Sequence, residues 1–402
     1  MTKFSFKEVA PCLFAIFIDV LGFGLVAPLL VSLFTTQEHN IFHITSSTLS
    51  YFYLGVTLAL YPLLMFFGTS FIGDLSDIIG RKKTLLLSML GMAIGFCCMS
   101  LGIRASSFSL FLFGRALSGF VAASQSVALA TISDLSTKEN KALHLSYVAL
   151  IQCTGFVVGP LIGGVLATTA FYIPFLWAAF FASAAFLWIA FSFEETFLKK
   201  SSRKISITRF LHVFIEAYQD KRIKNLSVAF LMMQIGVGLY IPIILILLTT
   251  EFNHPLLFLG LFNGYLGVGF ALGLLFVLPR MLKRFKIERI VYIALITTLL
   301  AQFFSSIARS EKFIWLLGFP WAVAVEIAFS GMFTSFSNAA DKNSQGWVMG
   351  ISVAIMAIAW AIAGFSAQLV PLFGTHALIF IGSVFLAASA LLMKKYCSQH
   401  SI

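Results

Sequence analysis

Apolar residues in this chain arrive in blocks of about twenty, and no other feature limits the possible fold so tightly. A helix rises about 1.5 Å per residue, so some twenty apolar residues cross the roughly 30 Å hydrocarbon core of a bilayer. Lipid offers no partner to a free backbone N–H or C=O, so a crossing block must close its hydrogen bonds internally as a helix. Twelve blocks are readable: 9–34, 48–72, 84–103, 108–132, 144–168, 171–193, 225–249, 256–279, 289–308, 313–336, 347–371 and 374–393. The chain is 59% hydrophobic and 11% charged, well above the roughly 45–50% apolar usage of soluble domains. The expected fold is an all-α integral membrane protein with twelve transmembrane helices.

The lysines and arginines orient these spans. With the N-terminus inside, the cytoplasmic segments hold 23 of the 27 Lys and Arg residues. The external segments hold only Arg104, Arg309 and Lys312, while Arg115 lies within a span. That asymmetry predicts two cytoplasmic termini, a multi-pass inner-membrane location and a first apolar run that is no cleavable leader. The net charge of +11 is thus an inward-facing property suited to anionic lipid headgroups, not to nucleic acid. The five cysteines show no disulfide or metal-ligand spacing, so no metal site is expected.

Residues 194–224 separate six spans from six. This predicts an N-terminal bundle over 1–193, a cytoplasmic linker over 194–224 and a C-terminal bundle over 225–402. Within the linker, Phe210, Val213, Phe214 and Ala217 share one side of an expected amphipathic surface helix. The halves echo each other: TISDLSTKENKALHLSYVAL resembles SFSNAADKNSQGWVMGISVA roughly 205 residues later. Internal repeats of this kind point to a transporter with a central site between two bundles.

Charges within spans are costly and therefore informative. Asp19, Arg115 and Glu326 are the clear cases. Two readings stand for Asp19 and Arg115: a buried structural ion pair, or a proton or substrate site. A low-dielectric cavity favours a protonated carboxylate and a nearby arginine opposes it, which is what coupling between substrate and proton requires. Gln234 is a candidate cavity-lining residue, and Gln152, Asn263 and Gln302 are softer ones that could bond neighbouring helices. The seven histidines fall in loops or at span ends and suggest no proton relay. Span five carries Gly155, Gly159, Pro160, Gly163 and Gly164, a bent, flat face able to pack closely on a neighbour. Between spans two and three lies GDLSDIIGRKK, residues 73–83, read as a charged loop.

That stretch resembles the signature loop of the major facilitator superfamily, matching at Gly73, Leu75, Asp77, Gly80, Arg81 and Lys82 and departing at Ile78. FIDVLGFGLVAPLL, with Asp19, Gly22, Gly24 and Pro28, is similar to the first-span motif of the drug:proton antiporter branch, the tetracycline-type and multidrug exporters. Arg115 with Gly119 resembles that branch's fourth-span motif, and the span-five glycines with Pro160 its antiporter motif. The resemblance is strongest over 13–168. It implies that Asp19, Arg115, Gln234 and Glu326 face one cavity, with the first, second and fourth handling the proton. It also implies a conformational latch of Gly73, Asp77, Gly80 and Arg81, with Asp134 beside the loop's bases.

The expectation is a proton-coupled secondary transporter, an efflux antiporter for a small organic compound working by alternating access. Its partners are that substrate, protons and the bilayer. No cofactor is expected beyond the proton gradient, and a monomer is expected. Two alternatives stay open: an importer or siderophore or metabolite transporter of the same fold, and a non-transporting receptor or assembly factor. No nucleotide loop or nucleophile constellation suggests an enzyme.

Overall fold

The structure is a computed structural model that describes residues 6–36, 41–122, 124–135, 141–196, 214–215, 217–220, 222–339 and 345–399. Its helices are α1 (Phe6–Thr35), α2 (Ser47–Ile79), α3 (Arg81–Arg104), α4 (Phe108–Val121), α5 (Ser124–Leu135), α6 (Lys141–Ala167) and α7 (Ile173–Ser192). The second half holds α8 (Lys224–Thr250), α9 (Leu256–Leu272), α10 (Leu278–Leu282), α11 (Ile287–Ile307), α12 (Glu311–Ala339), α13 (Gln345–Phe365) and α14 (Val370–Gln399). Among the described residues there is no strand.

Each of the twelve apolar blocks coincides with helix, so the helical membrane fold read from the sequence is the one found. Ten described stretches are long and apolar enough to cross a membrane; the last, Gly350–Cys397, takes in most of α13 with α14, and Phe108–Val121 is a shorter apolar helix. Large apolar side chains such as Phe191, Leu316, Leu372 and Leu391 are exposed, between 66% and 86%. Such side chains suit a surface bathed in lipid rather than water.

Three details differ from the sequence reading. The charged stretch at 73–83 is not a loop, because α2 runs to Ile79, α3 starts at Arg81, and Gly80 alone separates them. In the fourth span α4 ends at Val121, with Ala122 in a turn, and α5 starts at Ser124. The eighth carries a π-helical turn, Gly273–Val277, between α9 and α10. There a Cβ on residue 273 would lie 2.6 Å from the Val323 carbonyl oxygen of α12, so the glycine lets the irregular turn sit directly on its neighbour. Most of the expected amphipathic linker helix, including Phe210 and Val213, lies outside the described residues; Phe214 and Ala217 are helical.

Two compact units make up the chain. The first comprises Met1–Leu29, Ile41–His43 and Leu60–Phe210; the second comprises Leu30–Asn40, Ile44–Ala59 and Leu211–Ile402. In the first unit α3 packs on α4 and α7, with Phe111 of α4 edge-on to Phe175 of α7. In the second, α8 is the central element, buried almost continuously from Leu226 to Thr249, and it packs on α13 and α14. The second unit also contains part of α2, where Gly55 meets the Phe365 carbonyl oxygen and Gly364 meets the backbone at Leu58 and Ala59.

Candidate functional site

In the first unit Asp19 and Arg115 are both buried, at 5% and 3% exposure. Tyr61 of α2 lies within electrostatic reach of both. The Arg115 guanidinium stacks over the Tyr61 ring, its Cζ 4.5 Å from the ring centroid. An arginine in this position gains from the ring's negative face, most strongly where water is excluded. Gly119, one turn further along α4, makes the approach possible: a Cβ there would lie 2.6 Å from the Tyr61 carbonyl oxygen. Small residues thus bring α4 down onto α2, and the arginine one turn away lands on the tyrosine. Tyr61 carries no signal in the sequence, since a tyrosine in an apolar block reads as an interface residue.

The glycines of α6 face α1. A Cβ on Gly155 would lie 2.8 Å from Val20 Cγ1, on Gly159 2.8 Å from the Leu21 carbonyl oxygen, and on Gly163 3.1 Å from the Leu25 carbonyl oxygen. On α1, Gly24 answers with a position 3.1 Å from the Pro160 ring. Val20 and Leu21 directly follow Asp19, so the packed face of α6 holds the very turn of α1 that carries the buried acid. Gly164, the remaining member of the stripe, is buried.

At the α2–α3 junction, Gly80 has φ 102°, a left-handed conformation that costs glycine little and strains other residues. Arg81 Nη1 donates to Asp77 Oδ1 at 3.0 Å and to Ser76 Oγ at 2.7 Å. With isoleucine at 78, Arg81 is the base that pairs with Asp77. The first turn of α3 has a second anchor, unseen in the sequence. The Glu195 carboxylate accepts from the backbone N–H of Arg81 at 2.9 Å and of Lys82 at 3.2 Å. A helix N-terminus presents unpaired N–H groups and partial positive charge, so a carboxylate is its natural cap. Asp74 is buried at 5%. A Cβ at Gly73 would meet nothing within 4 Å, so close packing does not account for that glycine. The backbone of Asp134 lies in α5, and its side chain is outside the described residues.

In the second unit Glu326 is partly buried in α12, where Ser330 Oγ donates to its Oε1 at 3.3 Å. Gln234 of α8 is 2% exposed. Gln302 proves to be a structural hub. Its amide donates to the Gly236 carbonyl of α8 at 2.9 Å, and its oxygen accepts from Trp321 Nε1 of α12 at 3.0 Å. Tyr240 stacks on the same Trp321, ring centroids 4.3 Å apart, and its hydroxyl lies 3.2 Å from Ser305 Oγ. Asp19 and Arg115 therefore belong to the first unit, and Gln234 and Glu326 to the second. Among the described residues no cluster of three or more His, Cys, Asp and Glu side chains suits a metal ion.

Residues 12–364 match the family described as Major Facilitator Superfamily. The class C tetracycline resistance protein of Escherichia coli is 27% identical over 346 residues, which is 85% of this chain and 84% of that protein. The class B protein of Escherichia coli is 31% identical over 182 residues, 44% of this chain and 42% of its own length. Multidrug resistance protein 2 of Bacillus subtilis is 29% identical over 192 residues, 48% of this chain and 45% of its own length. These last two matches span less than half of the relative. Among solved structures, a D-xylose–proton symporter has TM-score 0.77 at 13% identity, covering 98% of both chains. A human organic anion transporter has TM-score 0.72 at 21% identity, covering 96% of this chain and 99% of that one. A family match from the first span to the end of α13, on a fold shared nearly end to end with solved transporters, makes this chain a member of the Major Facilitator Superfamily.

Proposed function

We propose that the chain is a proton-coupled exporter of a small organic compound, working by alternating access as a monomer in the inner membrane with both termini in the cytoplasm. The observation that carries this reading is the burial of Asp19 and Arg115 in the first unit, with Arg115 stacked over Tyr61. A carboxylate in a low-dielectric setting changes its proton affinity when a cation approaches or withdraws or when a substrate intervenes. Glu326, partly buried with Ser330 as hydrogen-bond donor, is the second proton-handling acid, and Gln234 faces the substrate. The α6 glycines hold α1 and reseal the pathway. Gly73, Asp77, Gly80, Arg81 and Asp134 form the latch that is made in one state and broken in the other. The direction of transport is supported by the relatives, which are named for resistance to tetracycline and to several drugs.

The test is substrate-dependent proton flux in proteoliposomes, with tetracycline and a panel of lipophilic drugs as probes. An acidic exterior should drive export by the parent protein. Asp19→Asn should lower the coupled proton flux at least tenfold while drug binding persists. Undiminished coupling with both Asp19→Asn and Glu326→Gln in place would sink the carboxylate mechanism, and uptake driven inward by the same gradient would sink the export direction.

A further inference from the structure

Two of the histidines, passed over in the sequence because they fall in loops or at span ends, pair with acids at helix ends of the second unit. Glu251 is the C-cap of α8, its N–H bonded to the Leu247 carbonyl at 2.9 Å. A carboxylate there faces the negative end of the helix dipole and calls for a compensating proton or cation. Gly374, at φ 77° and ψ 165°, breaks the path of α14 and is followed directly by Thr375 and His376. Thr375 Oγ1 donates to Glu251 Oε1 at 2.7 Å, and His376 Nε2 lies 3.1 Å from Glu251 Oε2. The other ring nitrogen, Nδ1, lies 2.8 Å from the Ser306 carbonyl oxygen at the end of α11.

Both ring nitrogens of His376 therefore face oxygens that only accept. A neutral imidazole has one N–H and one lone pair, so beside an ionised carboxylate it satisfies one contact and opposes its lone pair to the other. All the contacts are satisfied only when the pair holds one further proton, either on the ring or on the carboxyl. We propose that Glu251, Thr375, His376 and the Ser306 carbonyl form a proton-binding site that ties the ends of α8, α11 and α14 together when occupied and loosens them when empty.

The side chains of His376 and Glu251 are 20% and 39% exposed, so the site exchanges protons with solvent. A second His–Glu pair lies in the same set of turns: His254 Nε2 is 2.9 Å from Glu311 Oε2. Its ring stacks on Phe258, centroids 3.6 Å apart and planes 9° from parallel. The remaining charged groups of these turns are Arg309 and Lys312, between α11 and α12 and in the first turn of α12. All of these turns lie at the ends opposite the basic segments. Placing the site outside the cell rests on the orientation proposed above; the proton site itself does not.

Two measurements test this on the full-length protein. In detergent, the thermal midpoint is followed from about pH 8 to pH 5, the range over which histidine charge changes. The parent should gain stability on acidification. His376→Gln should remove at least half of that gain. So should Glu251→Gln, whose amide donates to a neutral ring, so it should also match or exceed the parent at pH 8. The His254–Glu311 pair stays in both variants, so the difference reads the Glu251 site alone. Parallel pH profiles for parent and both variants would overturn the proposal. In oriented proteoliposomes, acidifying only the exterior should change the transport rate of the parent by more than that of His376→Gln, whose remaining response is that of the proton gradient itself. A difference between parent and His376→Gln confined to interior pH would leave the proton site standing and overturn its external placement.

Discussion

At the scale of single residues, the chain's rare polar side chains inside spans divide into two kinds. Asp19 and Arg115 were readable as candidates because a charge in an apolar block is costly and must be held by something. The stacking of Arg115 on Tyr61 was not, since the tyrosine lies more than forty positions away. Gln302 looked like a weak site residue, and its neighbours decide otherwise. It is fully buried, and its amide and oxygen join α8 to α12 through Gly236 and Trp321. Gly382 of α14 leaves room for it, since a Cβ there would clash with the amide. Gln302→Leu strands the Trp321 N–H in a dry interior, a loss of about 1–3 kcal/mol. The thermal midpoint in detergent should fall by several degrees; an unchanged midpoint would show that the hub does not hold the unit together.

At the scale of elements, periodicity and length located nearly every helix, and they failed where a helix outlasts the bilayer. The thirty-three residues of α2 extend about 50 Å at 1.5 Å each, well beyond a hydrocarbon core of roughly 30 Å. Its last turns extend past that thickness, so Asp74 and Asp77 look like loop residues although the helix continues. What ends α2 is Gly80, whose positive φ turns the chain. What starts α3 is Glu195, a residue 114 positions further on. Replacing Glu195 with alanine removes the cap from two N–H groups, at a cost of about 1 kcal/mol. Amide exchange at Arg81 and Lys82 should speed up roughly fivefold in Glu195→Ala and much less in Glu195→Asp. Equal exchange in all three proteins would remove Glu195 from the account of how α3 begins.

At the scale of the whole molecule, the basic residues lie overwhelmingly on one side of the expected topology. Epitope tags at the two termini should therefore both be digested by protease in inside-out vesicles and both be protected in right-side-out ones. Opposite behaviour of the two tags would mean an odd number of crossings. Composition and hydropathy by themselves determined that this is a helical membrane protein and where its apolar helices lie, because lipid enforces those features locally, one segment at a time. Motif spacing marked the acid and arginine of the first unit and the glycines of α6. Only the tertiary structure decided which faces meet: α6 on the turn after Asp19, Arg115 on Tyr61, Glu195 on α3, Gln302 among three helices, and His376 on Glu251. Those contacts join residues from distant helices and depend on a few close approaches between backbones. A pattern read along one chain records a residue's affinity for lipid or water, and it carries no trace of the particular neighbour that satisfies its hydrogen bonds.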